Sequence, residues 1–493
     1  MKISIDKSSK VPVYLQIADQ IKAQIISGAL PRSSALPSER ALAQILDVHR
    51  NTVVKAYGEL KSDAWIESRQ GVGYLVASAS TEKEPVGESG EGVQMGRVNW
   101  VNEVADKYLD MEKTFDDLFQ RFTDESHFSL GSGIASREVY SSERVAHDIA
   151  GLLTGSGPSQ YFFSPYKGDR FLRQKLASFL GTKGVRASSG EIQILSETNQ
   201  ALDFIVTLLV KPGDSVVMEE PVHPDMYRVM ELAGARILTV PVDEDGMNCD
   251  VLESLLTQTR PRLIFVNSSF HDPTGCILSL ERRKKIIELS NRYRVPIVEE
   301  DAASELVYDG DKLPPIKAFD TTGNVIYIYS FSLTFIPGLS LAFVTGNRDF
   351  VRALSYLVSV RLMASDWMTQ KLLGMYLDDG SYYSSLATFR EIYSGNRDLV
   401  CQKLDALAHL GVRYERPRGG VYVWCRLPDG VDSKHFINRA YNMGVTLIPG
   451  HVFYPYKNGG RDYIRINYSY ESRERLACGM DVLHKALEEE LEE

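Results

Sequence analysis

Cysteine is scarce in this 493-residue chain: five residues, at 249, 276, 401, 425 and 478, and nowhere a Cys-x-x-Cys pair. That pattern excludes a disulfide framework and offers no zinc site, so the thiols are expected to be reduced and packed in the core. Long apolar runs are missing too. None reaches the ~18–20 residues that span a bilayer, and the opening MKISIDKSSKVPVYLQ lacks the apolar stretch of a secretory leader. No membrane partner is expected, and the cytoplasm is the expected compartment. Proline is absent from 350 to 410, which leaves that stretch free to be helical. What is present, 44% hydrophobic, 10% aromatic and 24% charged residues, is ordinary for soluble globular chains and long enough for two or three domains.

The net charge of −10 argues against a nucleic-acid partner, but the average conceals an asymmetry. Residues 1–76 hold ten Lys/Arg against seven Asp/Glu, a balance of +3 that leaves −13 for the remainder. A basic head on an acidic body points to DNA binding in the head. Residues 78–98, SASTEKEPVGESGEGVQMGRV, are rich in Glu, Gly and Ser and read as a flexible linker. The chain therefore divides into a head over 1–77, the linker, and a large domain over 99–493 with a small C-terminal subdomain from about 385.

Within the head, VPVYLQIADQIKAQIISG sets Val13, Ile17, Ile21 and Ile25 at helical spacing and stops at Gly28. LPSERALAQILDV gives a second helix, with Ser38 as its N-cap and Leu42, Ile45 and Leu46 as its apolar face. Asp47, Val48 and His49 turn into a third, RNTVVKAYGELKSDA, and WIESRQGVGYLV reads as two short strands around Gln70–Gly71. Helix, helix, turn, helix and wing make a winged helix-turn-helix, whose third helix presents its start to the major groove of double-stranded DNA. Arg50, Asn51, Thr52 and Lys55 stand there, as types that bond base edges or phosphates. Arg69, Gly71 and Gly73 bring the wing backbone close to DNA, and Arg40 faces the same side. LPSERALAQILDVHRNTVVKAYGELKSDAWIESRQGVGYLV resembles the GntR-type winged-helix domain over nearly its whole length.

In the large domain, apolar strand-like runs (EIQIL, SVVMEE, RLIFVN, PIVEE, VIYIYS, LAFVTG) alternate with helical stretches such as 201–210 and 280–292. That order predicts an α/β domain built on a parallel-rich sheet covered on both faces. From Gln160 onward, PYKGDRFLRQKLASFL, VVMEEPVHP, DPTGCILSL, VPIVEEDAASE, YIYSFSLTFIPGLSLAF, RGGVYVWCRL, IPGHVFYP and YIRINYS resemble, in order, a fold-type I aminotransferase. A GntR head on such a body resembles the MocR/GabR-like regulators. The resemblance implies operator DNA binding by the head, pyridoxal 5′-phosphate (PLP) in the body, and a homodimer paired head-to-tail.

PLP chemistry needs a lysine imine, a carboxylate at the pyridine nitrogen and a phosphate cradle. Where the family has Ser-x-Ser-Lys, this chain reads Ser330-Phe331-Ser332-Leu333, and leucine forms no imine. Seven residues on, Ser340 replaces a phosphate-binding arginine. The family's Glu-Asp-Asp-Tyr reads Glu299-Glu300-Asp301-Ala302, so Glu300 takes the pyridine position and the tyrosine is gone. Gly-Ser-Gln-Gln reads Glu197-Thr198-Asn199-Gln200, with a carboxylate at the anion-binding helix start. His223 stands where an aromatic ring stacks on the pyridine, Asp272 replaces the asparagine of Asn-Pro-Thr-Gly, and Arg465 matches the arginine that takes a substrate carboxylate. Lys317 lies off the motif, in an expected loop, and reads as a surface lysine.

One substitution would not remodel several corners of a pocket, so a repurposed site is expected: no catalytic residue, no metal, no covalent cofactor and no enzyme activity. Glu197, Asp272, Glu300 and Asp301 together suggest a net acidic pocket suited to an amine or cation. The leading reading is a regulator whose body dimerises the heads and senses an unidentified small molecule. A second keeps PLP as a noncovalent effector, stacked by His223 and held by Thr198, Ser330 and Ser332. A third, a working aminotransferase with a vestigial head, is opposed by Leu333.

Overall fold

The computed structural model describes Ile3, Ile5 and residues 12–26, 29–31, 34–62, 65–69, 73–77, 126–136, 138–155, 165–362, 366–456 and 459–492, and divides into two units, Met1–Val98 and Asn99–Glu493. Gly28, Gly71 and the 78–98 segment lie outside the described residues. Among the described residues no helix is long and apolar enough to cross a membrane.

The first unit holds α1 (Val13–Ile26), α2 (Glu39–Leu46), α3 (Arg50–Ser62), β1 (Ile66–Arg69) and β2 (Gly73–Val76). Ser38 caps α2 by accepting from the Ala41 N–H at 3.2 Å, and Asp47 ends it in the left-handed region (φ 49°), which turns the chain sharply toward α3. The strands pair antiparallel from Ile66 opposite Val76 to Arg69 opposite Gly73, forming the wing. Ile17, Ile21, Leu42, Val53, Tyr57, Leu60, Ile66 and Val76 make the core. Ile45, expected on the apolar face of α2, is instead 69% exposed. At about 100° per residue it lies roughly 110° from the centre of the Leu42–Ala43–Leu46 face, outside what a short helix buries.

In the second unit β3 (Phe128–Ser129), α4 (Ser142–Gly155) and α5 (Arg170–Thr182) precede an eight-stranded sheet. Its members are β4 (Ile192–Leu195), β5 (Ser215–Glu220), β6 (Arg236–Asp243), β7 (Gly246–Met247), β8 (Ile264–Asn267), β9 (Ile297–Asp301), β10 (Val325–Ser330) and β11 (Ala342–Thr345), in the order β4-β11-β10-β9-β8-β5-β6-β7. β10, β9, β8, β5 and β6 run parallel, β11 opposes both its neighbours, and β7 turns back on β6. Alternate residues face opposite layers. Met218, Phe265 and Ile328 pack with α6 (Thr198–Leu209), α7 (Pro224–Leu232) and α10 (Arg348–Arg361), whereas Val217, Ile264 and Val325 pack with α8 (Cys249–Gln258) and α9 (Leu280–Tyr293). The sheet is therefore α/β, covered on both faces.

The proline-free stretch forms α11 (Trp367–Asp379) and α12 (Ser381–Ala406) after α10. Beyond it β12 (Arg413–Tyr414), β13 (Tyr422–Arg426), β16 (Tyr463–Asn467) and β15 (Ile448–Pro449) make an antiparallel sheet, flanked by α13 (Ser433–Asn442) and α14 (Arg473–Leu491). β14 (Val445–Thr446) pairs with β3, so residues near 128 are woven into this C-terminal lobe. Cys401 and Cys425 are buried, Cys249 and Cys276 are half-buried, and Cys478 is exposed. Cys478 departs from the expected core placement because α14 buries Leu476, Met480 and Leu483 and turns Cys478 outward.

Candidate functional site

In the head, Glu39 ties the start of α2 to the start of α3 and to the wing. Standing at the start of α2, its carboxylate accepts from Arg50 Nε (3.2 Å) and Nη2 (2.8 Å) and from the Tyr74 hydroxyl (3.2 Å) of the wing. The motif reading missed Glu39; its place beside the Ser38 cap was the available signal. Arg50 is 52% exposed, and an ion pair of that exposure contributes about 0–1 kcal/mol, so its guanidinium is oriented without being locked away. Asn51 and Lys55 are exposed and Thr52 is half-buried on the same helix. Lys55 Nζ lies 5.9 Å from the Tyr14 ring centroid. Arg40 is exposed on α2, Arg69 ends β1, and Gly73 opens β2 with φ 99°, a conformation that favours glycine.

The candidate residues of the large domain stand at or after the carboxyl ends of β5, β8, β9 and β10, where open α/β sheets place ligands. Leu333 follows β10 and is 5% exposed, packed into the largest apolar cluster. Ser330 Oγ donates to Ser332 Oγ at 3.1 Å and accepts the Ser332 N–H at 3.2 Å. At the start of α6, Glu197 is the extended N-cap residue and its side chain makes no capping bond. Although Glu197 is open to solvent, desolvation holds its carboxyl above the usual range, and the nearby Ser340 hydroxyl offsets only part of that. Thr198 opens α6 half-buried, and Asn199 Nδ2 donates to Asp225 at 3.1 Å.

Glu300, 7% exposed at the end of β9, accepts from Asn267 Nδ2 at 2.5 Å. Burial, and then the neighbouring Asp301, Asp272, Glu219 and Glu299 carboxyls, push it up to about 8. Glu219, pushed up to about 8 by burial, accepts the Asn267 N–H at 2.7 Å and lies 3.7 Å from His271 Nε2. Burial pushes His271 down to about 4, so it is neutral at pH 7.

Arg465 is 2% exposed and donates through Nη1 to both oxygens of Asp272 at 2.7 Å, and through Nη2 to the Gly131 carbonyl at 3.0 Å. Its guanidinium lies 4.2 Å from the Tyr422 ring centroid and 5.1 Å from that of Phe453. Burial opposes ionisation of Asp272, but Arg465 and His223 prevail and hold it below the usual range. His223 Nε2 stands 3.9 Å from Asp272, while Nδ1 accepts the Asp225 N–H at 3.3 Å.

These contacts correct the expectation of a net acidic pocket. Asp272 is matched by Arg465. Glu300 keeps its proton at neutral pH. Asp301 faces Ser304, the Tyr327 hydroxyl and buried Lys183, bonded to the first two and 3.6 Å from the lysine. Of these four, Glu197 is the exposed one, with the Ser340 hydroxyl beside it and no ion pair among the described residues. The substrate-type arginine is also not free, because its Nη1 is taken by Asp272 and its Nη2 by the Gly131 carbonyl. Lys317, expected on the surface, sits in a 3₁₀ turn with its side chain 10% exposed, donating to Asp320 at 2.9 Å and to the Val325 carbonyl at 2.7 Å. Sequence reading also missed Glu219, Asn267, His271, Tyr422 and Phe453. Tyr422 was legible as the residue two before Trp424 on a strand opposite Arg465.

Where the resemblance places the imine lysine, the anion-binding helix start and the phosphate arginine of PLP enzymes, this chain holds buried Leu333, Glu197 and Ser340, none of which supplies an amine or a cation.

Residues 125–481 match the family of aminotransferase class I and II, and residues 13–76 match bacterial regulatory proteins of the gntR family. The chain is similar to an uncharacterized HTH-type transcriptional regulator, YisV, of Bacillus subtilis, at 28% identity over 96% of each chain. It is also similar to a probable rhizopine catabolism regulatory protein, MocR, of Rhizobium meliloti, at 27% identity over 90% of this chain and 88% of the other. Among solved structures, a multiple substrate aminotransferase of Thermococcus profundus superposes with a TM-score of 0.75 at 27% identity, covering 80% of this chain and all of that one.

Proposed function

We propose that this chain, which belongs to the aminotransferase class I and II family and carries a head of the bacterial gntR regulatory family, is a MocR-type transcriptional regulator that has given up transamination. Residues 1–77 bind operator DNA through Arg50, Asn51, Thr52 and Lys55, with Arg40, Arg69, Gly71 and Gly73 supporting the docking. Residues 78–98 link this head to a body, 99–493, that pairs two copies head-to-tail and senses a small molecule in the cytoplasm. The pocket that senses it is formed by Thr198, Asn199, His223, Asp272, Glu300, Ser330, Ser332, Leu333 and Arg465.

The observation that carries this reading is Leu333, buried at the imine position. The full-length similarity to regulators supports the DNA-binding half. Two heads in one dimer double the phosphate contacts and fix a half-site spacing, which is how such modules reach useful affinity. A second reading, PLP as a noncovalent effector, is supported by the helix start at Thr198, whose N-cap side chain leaves the first-turn amides uncapped.

Titration of the purified protein with PLP, followed by calorimetry and visible absorbance, tests both. Lack of any lysine-imine absorbance band is expected, and its appearance would overturn the loss of covalent chemistry. Heat of binding without that band would select the noncovalent effector.

A further inference from the structure

A cavity opens where the large domain meets the C-terminal lobe, lined by none of the candidate residues just described. It is a cleft of about 410 Å³ walled by Trp424 and Tyr463 on the lobe and by Pro221 and Thr274 on the large domain. Trp424 and Tyr463 stack at 5.0 Å between ring centroids with planes 10° apart. That volume suits a ligand of amino-acid to nucleoside size.

The charges around it do not balance among themselves. Arg413 and Arg426 are directly opposed across β12 and β13, a pairing of like charges that costs stability unless something neutralises it. Arg426 is neutralised by Asp462 at 2.8 Å and Asp429 at 3.4 Å. The Arg413 guanidinium has no ion-pair or hydrogen-bond partner among the described residues, and the residue is exposed. On the acidic side Asp243 is taken by Arg282, while Glu244 and Glu415 are exposed and have no ion pair among the described residues. One free guanidinium and two free carboxylates therefore line one cleft. Arg413 opens β12, and Glu415 follows directly after its end.

We infer that this cleft is a binding site for a small zwitterion of the amino-acid class. The ligand's carboxylate meets Arg413, its ammonium meets Glu415 or Glu244, and its carbon body lies along the Trp424–Tyr463 wall. The site stands whether or not the central pocket holds PLP. It has a route to that pocket, since Trp424 meets Phe453 edge-on at 5.5 Å and Phe453 lies against Arg465. Because both lobes wall the cleft, its occupant bears on how they sit together.

Calorimetric titration of the full-length protein with each of the twenty standard amino acids, β-alanine and 4-aminobutyrate tests this. At least one zwitterion is expected to bind, with Arg413→Ala and Glu415→Gln each weakening it about tenfold or more, as loss of a charged hydrogen bond does. Both positions are exposed, so the variants are expected to fold. Glu197→Gln, at the central pocket, should leave the affinity unchanged. No heat from any member of the panel, unaltered binding in either cleft variant, or binding lost in Glu197→Gln would each overturn the assignment.

Discussion

Replacing Asp272 by asparagine restores the family residue and unmasks Arg465. In the wild type, burial opposes the charge on both partners, and each remains ionised because it faces the other across two 2.7 Å contacts. Removing one member of a buried pair generally costs about 3–5 kcal/mol. The asparagine oxygen, the Gly131 carbonyl and the Tyr422 and Phe453 rings still serve the guanidinium, so the expected loss is about 2–4 kcal/mol. That is a large share of the ~5–15 kcal/mol that holds a domain folded. The sign with pH is fixed by the depressed Asp272 carboxyl: its contribution is fully present above the unfolded value near 3.8 and is lost as pH falls through the lower folded value. The difference between variant and wild type should therefore shrink in acid. Scanning calorimetry with and without acetate gives the decisive comparison. A freed Arg465 should take the added carboxylate, and a ligand at ten times its dissociation constant restores about 1.4 kcal/mol. Wild type, with Nη1 and Nη2 already taken by Asp272 and the Gly131 carbonyl, should not respond. Equal stability of the two proteins, or equal stabilisation of both by acetate, would refute the reasoning.

Three further outcomes are expected. Glu300 holds its proton to about 8 when folded but releases it near 4.5 when unfolded, so it costs stability increasingly between those values and by a constant amount above them. Glu300→Gln keeps an acceptor for Asn267 and should be more stable than wild type at pH 8.5, by up to several kcal/mol, yet close to it at pH 4.5; a difference independent of pH in thermal melts would contradict this. Arg50→Ala and Thr52→Ala should each weaken binding to a selected operator by about 1–3 kcal/mol with unchanged melting of the head, and unaltered affinity in both would remove α3 from the readout. Leu333→Lys alone should give no 2-oxo acid from an amino donor with added PLP, because Ser340, Glu197 and Ala302 remain; robust turnover would show the pocket to be intact.

The architecture was largely legible because local signals agreed with the tertiary structure. Ser38 caps where it was read, VIYIYS and SVVMEE are strands from end to end, and the described part of the proline-free stretch is mostly helical. What escaped depends on partners far away in sequence. A two-residue strand such as β3 has no period of its own, and only its pairing with β14 places it in the C-terminal lobe. Ile45 looked like a core residue because an apolar side chain in a short helix carries no mark of which edge the neighbouring helix covers.

Charge was the least legible property of all. Glu300 and Asp301 are adjacent letters of similar chemistry, yet the strand sends them to opposite faces. One meets an amide and other carboxyls and keeps its proton; the other meets Ser304, Tyr327 and Lys183 and remains ionised. Asp272 counted as added negative charge in the sequence and is cancelled by a residue 193 positions away. The pocket is therefore defined less by how many acids it holds than by a filled arginine and a protonated glutamate. Neither of those offers a ready anchor to an amino-acid carboxylate, which is why a zwitterion finds its better match at Arg413 in the outer cleft.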